Sequence, residues 1–401
     1  MRIVLILLIS IHFVLASYDA KGENSIGHYI TKSLDLPTSF LYSKKFQKIK
    51  REYARYKNHH FFNVNKVETY FVPELVKIIN AYNIPDVFLF MALAESNFAV
   101  KAKSHKKAVG IWQFMPATAK KYGLRIDEFV DERRDPYRST NAAIKYLKRL
   151  HKMFGKWYLA ALAYNAGEGA VKRAIKRAGT DDVRVLLDEK KRYLPKESRR
   201  YLYKIVMLAL MANDNEYMLN SDLAYILTRG EEFDIMPVEI KGAELLDYVA
   251  NKIKLRLNYL QDLNPHIKRG FTPPDVKKYS IYIPKLKFNE FKKFYKPSNS
   301  VRGFLVYKVK RGDSLYKIAH RYGIKIALIK KFNHLSSNLL RPNQKLILPI
   351  AKRSRRIYRV KKGDTILKIA HKFGVDAKKL KIWNDKKDNF LRIGEKLVVL
   401  Y

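Results

Sequence analysis

A segment that repeats at a fixed offset has to fold as the same small unit twice, with each copy supplying its own core. Here YKVKRGDSLYKIAHRYG begins at Tyr307 and YRVKKGDTILKIAHKFG begins at Tyr358, an offset of 51. The register carries Gly312 onto Gly363, Asp313 onto Asp364, Ile318 onto Ile369, Gly323 onto Gly374, Asn333 onto Asn384 and Leu346 onto Leu397 without an insertion. Each copy reads as a strand, a Gly-Asp turn, a helix, a second helix ending at Asn, and a closing strand. Ser314 and Thr365 suit the start of the first helix, because a hydroxyl there can accept from an otherwise unpaired backbone N–H.

A degraded third copy precedes these two. VEIKGAELLDYVANKIKLRLNYLQDLNP followed by IYIP has the same order, and Ala250 to Asn264 matches the spacing of Ala319 to Asn333, although the Gly-Asp pair is gone. We place this copy at 232–286 and the two clear ones at 305–350 and 356–401. Lys296 to Arg302 and Lys352 to Arg356 read as linkers.

The region 74–214 has a different pattern. Apolar residues recur at helical spacing and alanine is frequent, which predicts a mainly α domain. Expected helices are Glu74–Tyr82, Pro85–Ser96, Pro116–Tyr122, Ser139–Met153, Trp157–Tyr164, Glu168–Ala178 and Glu197–Met211. Residues 18–73 are rich in Lys and Tyr and show no core pattern. The expected architecture is multidomain: a mainly α domain followed by small α+β modules.

Residues 1–17, MRIVLILLISIHFVLAS, place Arg2 before an apolar run ending in Val14-Leu15-Ala16, the layout of an export signal. The run is shorter than the roughly 20 residues that cross a bilayer. A cleaved leader is expected, and a short retained anchor is the alternative. The chain has no Cys, which excludes disulfides, thiolate metal sites and lipidation at a mature N-terminal Cys. With 80 Lys+Arg against 37 Asp+Glu, the net charge of +43 favours polyanions. Behind an export signal these are cell-wall polymers or anionic lipid surfaces, not nucleic acid. The histidines, among them His59, His60 and His320, lack ligand spacing, so neither metal nor cofactor is expected.

One carboxylate ends the apolar run Val87–Ala94. At Glu95, burial and the negative end of the helix dipole both favour the neutral acid, as Phe88 and Met91 on the same face would. Glu95 is thus either a general acid or a charge near a helix end. Gly110-Ile111-Trp112-Gln113 places an aromatic and an amide in a turn before a helix, a surface suited to a sugar. Ala163-Tyr164-Asn165 ends another helix with two polar side chains.

Taken in order, Glu95-Ser96, Gly110-Ile111-Trp112-Gln113, Ala163-Tyr164-Asn165 and Pro195-Lys196-Glu197-Ser198-Arg199-Arg200-Tyr201 resemble the motifs of the lytic transglycosylases. These are enzymes with a lysozyme-like fold that cleave peptidoglycan. Trp112 is the variant seen in the membrane-bound lytic transglycosylase D subfamily. The repeats resemble LysM modules, which bind N-acetylglucosamine-containing glycans. The resemblance implies Glu95 as sole general acid and base, with Ser96, Gly110, Ile111, Trp112, Gln113, Tyr164, Asn165, Glu197 and Tyr201 contacting substrate. It also implies Gly312, Asp313, Ser314, Asn333, Gly363, Asp364, Thr365 and Asn384 as glycan-binding positions. The implied partner is the peptidoglycan glycan strand, and the implied setting is the periplasm or cell envelope, with the chain a monomer in peripheral association. Three other readings stand beside this: a muramidase using water, a wall-binding protein without catalysis, and LysM copies that act only as spacers.

Overall fold

The computed structural model describes residues 22–54, 70–214, 234–298 and 303–400, the last without 334, 351–354, 374 and 387. The expected export signal at 1–17, residues 18–21 and 55–69, the start of the third module at 232–233, and linker positions 299–302 and 352–354 lie outside the described residues. So does Gly374. The described chain divides into two compact units. The first comprises everything up to Pro237 together with Asp262–His266 and Tyr282–Asn289; the second holds the remainder.

The first unit is helical. It opens with α1 (Gly22–Ser33), α2 (Ser39–Tyr42) and α3 (Lys44–Ala54), followed by α4 (Val72–Ala81). A 3-10 turn at Asp86–Phe88 leads into α5 (Leu89–Ser96). Next come α6 (Pro116–Lys121), α7 (Pro136–Phe154), α8 (Trp157–Ala166), α9 (Glu168–Ala178), α10 (Val183–Leu186) and α11 (Lys196–Ala212). Proline opens α6 and α7, where its missing N–H costs nothing. Asp135 caps α7 by accepting from the amides of Tyr137 and Arg138 at 3.0 and 2.9 Å.

The centre of this unit is α8. Tyr158 to Ala163 are all buried, so the helix is apolar on every side, and it packs against α7, α9 and α11. Its alanines let those neighbours approach closely. Helix α11 then packs on α5, which fixes the end of α5 against the middle of α11.

Three expectations need correction. The segment 22–54, in which no core pattern was seen, forms three helices, and α1 and α3 pack on α11. Ile30, Leu34, Phe40, Phe46 and Ile49 are buried there, with Phe40 stacked on Tyr203 at 4.7 Å. The helix expected from Pro85 begins as a 3-10 turn because Pro85 itself is extended (ψ 125°). Finally, Arg355 and Arg356 belong to a strand and not to a linker.

Beyond α11 the chain repeats one plan three times. The first copy runs β1 (Ile235–Lys241), α12 (Leu246–Lys252), α13 (Leu257–Leu263), β2 (Lys278–Pro284), with α14 (Phe288–Phe294) appended. The second runs β3 (Gly303–Lys308), α15 (Leu315–Tyr322), α16 (Ile326–Asn333), β4 (Lys345–Ile350). The third runs β5 (Arg355–Arg359), α17 (Ile366–Lys372), α18 (Ala377–Trp383), β6 (Lys396–Leu400). Each pair of strands forms its own two-stranded sheet. β3 and β4 are antiparallel with Tyr307 opposite Leu346, and β5 and β6 pair likewise with Tyr358 opposite Leu397. Each of these two modules has a separate small core, built around Ile318, Ile329 and Leu346 in one and Ile369, Leu380 and Leu397 in the other.

Candidate active site

Glu95 stands in the last turn of α5, which closes on Asn97 in the left-handed conformation (φ 53°). Its carboxylate looks into a cleft of about 350 Å3. Asn165 from α8 and Glu197, Arg200, Tyr201 and Lys204 from α11 share that cleft, and Ile49 of α3 forms part of its wall. The Tyr201 hydroxyl donates to Glu95 Oε1 at 2.6 Å. Lys204 Nζ donates to the carbonyl of Ala94 at 2.6 Å, which holds the ammonium beside the same carboxyl.

Several groups act on the Glu95 proton. Burial dominates and pushes the carboxyl up to about 7, against the Tyr201 hydrogen bond and the Lys204 charge, both of which favour the anion. The Glu197 charge adds a smaller upward push. Burial also lowers the Lys204 ammonium and raises the Tyr201 phenol. At neutral pH the site therefore holds a carboxyl that can both give and take a proton, which is what general acid–base catalysis asks of it.

The remaining motif residues build the frame around this carboxyl. Ser96 Oγ faces the carbonyls of Ile111 and Ala92 at 3.0 and 3.2 Å. The Tyr164 hydroxyl donates to the Trp112 carbonyl at 2.8 Å, and Gln113 Nε2 donates to the Gly110 carbonyl at 2.8 Å. Three side chains thus grip the turn at 110–112. Gly110 has φ 83°, and a Cβ there would sit 1.8 Å from the Arg133 carbonyl oxygen, so the tight turn demands glycine. Ser198 Oγ donates to Asn165 Oδ1 at 2.7 Å and fixes that amide at the cleft.

Two expectations are revised here. Trp112 offers no aromatic face to a sugar: it is 0% exposed, and its indole N–H donates to Thr140 Oγ1 at 2.8 Å. Ile111 is likewise core. Phe88 and Met91 are buried, as expected of that apolar run, with Phe88 edge-on to Trp157 at 5.3 Å. The sequence reading missed Lys204 and Ile49. Lys204 follows Tyr201 by three positions, which puts both on one face of α11 and was the available signal. Ile49 had none, because its helix is far away in sequence.

In the C-terminal modules the repeated polar residues hold the fold. Asp313 accepts from the Tyr307 hydroxyl at 2.6 Å and the Lys310 amide at 2.7 Å; Asp364 does the same with Tyr358 and Lys361 at 2.8 and 2.7 Å. Gly312 and Gly363 both take φ 83°, and Ser314 and Thr365 cap the following helices. The Asn333 amide exchanges both hydrogen bonds with Ile347 of β4, at 2.7 Å each. Asn384 does this with Val398, and Asn264 does it with Tyr282. All three modules therefore close on the same clamp. Large apolar side chains stand in water instead: Tyr316 (69% exposed) and Leu367 (71%) at one repeat position, and Leu339 (84%) and Phe390 (66%) at another.

Comparison with known families matches residues 75–186 to the Transglycosylase SLT domain. Residues 235–300 match the LysM-like domain of lytic transglycosylase MltD, and 307–349 and 358–400 match the LysM domain. The membrane-bound lytic murein transglycosylase D of Escherichia coli K12 is 29% identical over 343 residues, covering 79% of this chain and 73% of that protein. The N-acetylmuramoyl-L-alanine amidase sle1 of Staphylococcus epidermidis is 36% identical over 110 residues, covering 25% of this chain and 33% of its own. Among solved structures, the 70 kDa soluble lytic transglycosylase SLT70 of E. coli aligns with TM-score 0.29 and 25% identity, over 36% of this chain and 24% of that one.

A helical SLT domain with an acid in its cleft, followed by α+β LysM modules, makes the chain an enzyme of the lytic transglycosylase class. The module between the SLT domain and the two LysM domains is the one matched to MltD, so the chain is similar to lytic transglycosylases of the MltD type.

Proposed function

We propose that the chain cleaves the β-1,4 bond between N-acetylmuramic acid and N-acetylglucosamine in peptidoglycan, leaving a 1,6-anhydromuramyl end. The observation that carries this reading is the Glu95 carboxyl, held near pKa 7 in a cleft and hydrogen-bonded to Tyr201. Glu95 protonates the glycosidic oxygen as the bond from C1 breaks. The muramic acid C6 hydroxyl then attacks C1 and gives its proton to the Glu95 carboxylate, which restores the acid. No water is consumed. An attacking group already in the substrate gains from proximity and needs no second carboxylate.

Glu197 in the same cleft favours a second reading, in which a second carboxylate directs a water and the enzyme is a muramidase. Mass spectrometry of muropeptides released from purified peptidoglycan separates the two. Products 18 Da lighter, with anhydro ends, support the first reading, and hydrated reducing ends refute it.

The LysM modules serve as glycan anchors, with Tyr316 and Leu339, and Leu367 and Phe390, as the exposed contact surface. Several weak sites on one chain raise the effective concentration at a polymer. Residues 301–401 carry 27 Lys+Arg against 6 Asp+Glu, which adds attraction to wall carboxylates. The cell envelope is the setting that such a substrate implies. Among the described residues, no helix is long and apolar enough to cross a membrane.

A further inference from the structure

Beside the Glu95 cleft, the first unit carries a second groove of about 790 Å3. Arg173 and Arg177 of α9, Arg192, and Lys196 and Arg199 of α11 line it. Glu189 is the one carboxylate there, and it is engaged by Lys45. Across the first two turns of α11, Lys196 and Arg199 face this groove, whereas Glu197, Arg200 and Tyr201 face the cleft. The two depressions therefore lie on adjacent faces of one helix.

Five cations converge here, and among the described residues Glu189 is the carboxylate that answers them, acting on Arg199. Among the described residues, Arg173, Arg192 and Lys196 form no ion pair, and Arg177 rests on the ring of Tyr193 at 5.6 Å. Arg199 is 8% exposed; its Nη1 donates to the Asp188 carbonyl at 3.1 Å, and its buried Nε–H meets no acceptor. Burying a guanidinium N–H without a partner is costly, so a fold that keeps one has a use for it. Arginine is also the cation whose planar fork matches a carboxylate.

We propose that this groove binds the carboxylates of the peptide stem borne by the substrate sugar. The inference rests on the peptidoglycan reading above. In that polymer the peptide branches from the muramic acid whose C1 bond is broken. A groove one helix face away from Glu95 is placed to receive such a branch. Tyr193 supplies an apolar wall for the peptide chain, while Arg173, Arg177 and Arg192 take its acids. The groove makes the enzyme read the peptide as well as the glycan.

The test compares kcat/KM for the full chain on two substrates: peptide-bearing glycan strands, and the same strands stripped of peptide by an amidase. Arg173→Gln with Arg177→Gln, and separately Arg192→Gln, leave the Glu95 machinery untouched. The expected result is a loss of roughly tenfold or more on peptide-bearing strands, with the rate on stripped strands unchanged. A soluble tetrapeptide stem should compete with wild type on the first substrate. Competition by inorganic phosphate but not by the peptide would identify a phosphate site and overturn the proposal. Equal losses on both substrates, or no loss on either, would also overturn it. Absence of anhydro products from the wild type on both substrates would instead sink the reading of the reaction.

Discussion

Replacing Glu95 by Gln removes the proposed acid and should also change how stability depends on pH. The carboxyl sits at about 7 in the folded chain against an ordinary 4.5. At about 1.4 kcal/mol per pH unit, that gap is worth about 3 kcal/mol. The sign follows from proton counting. Between these two values the folded state binds the proton more tightly than the unfolded state does, so stability falls as pH rises and the loss is complete above about 7. About 2.5 kcal/mol of it falls between pH 5 and pH 8. In Glu95→Gln this contribution vanishes, and the amide oxygen can still accept from Tyr201. The assay is guanidinium unfolding at pH 5 and pH 8 in a Trp383→Phe background, so that Trp112 and Trp157 report the catalytic unit. The variant should lose about 2.5 kcal/mol less than wild type across that interval, and it should release no muropeptides. Equal pH dependence in the two proteins would show that the carboxyl is not held neutral by its surroundings.

Tyr201→Phe removes a hydrogen bond that favours the Glu95 anion, so the alkaline limb of the kcat/KM profile should move up by about one pH unit; a downward shift would contradict the geometry. Asn333→Ala breaks the clamp on β4 and should destabilise that module by about 2 kcal/mol, read as earlier loss of its amide protection in hydrogen exchange. Leu339→Asp with Phe390→Asp should weaken pelleting on sacculi while leaving the far-UV spectrum and the cleavage of short soluble strands unchanged; undiminished pelleting would move the anchor elsewhere.

The repeat at offset 51 was fully legible because each module encodes its turn, caps and core locally. Asp313 and Tyr307 are six positions apart, and Asn333 and Ile347 fourteen. Their role was harder to read: spacing revealed that these residues recur, and the folded chain shows that they hold strands and turns. The burial of Glu95 was legible too, since an apolar run ending in one Glu is a local pattern. Its surroundings were not. Tyr201 and Lys204 reach Glu95 and Ala94 across more than a hundred residues, and Ile49 arrives from a helix whose apolar positions are separated by lysines. Trp112 was misread because a turn residue is expected at the surface, whereas the packing of α7 draws it inside to Thr140.

Asp135 caps α7 from a fully buried position, and the Tyr282 hydroxyl donates to it at 2.7 Å with His266 Nε2 3.7 Å away. Tyr137 stacks on Tyr282 at 4.4 Å, and the Asp131 amide donates to the His266 carbonyl. Two short pieces of the LysM-like segment are thus built into the catalytic unit's interior. That bears on how such chains can be cut and recombined. The last LysM module, built around Ile369, Leu380 and Leu397, can be gained, lost or exchanged as a cassette, whereas the one before it leans on its neighbour through Phe332 packed on Phe271 at 4.4 Å. The segment from 235 to 298 cannot: an expression boundary drawn at 214 would strand the Asp135 carboxylate without its tyrosine. The smallest heritable catalytic piece of this protein therefore ends near residue 298, well past the last residue of its SLT match.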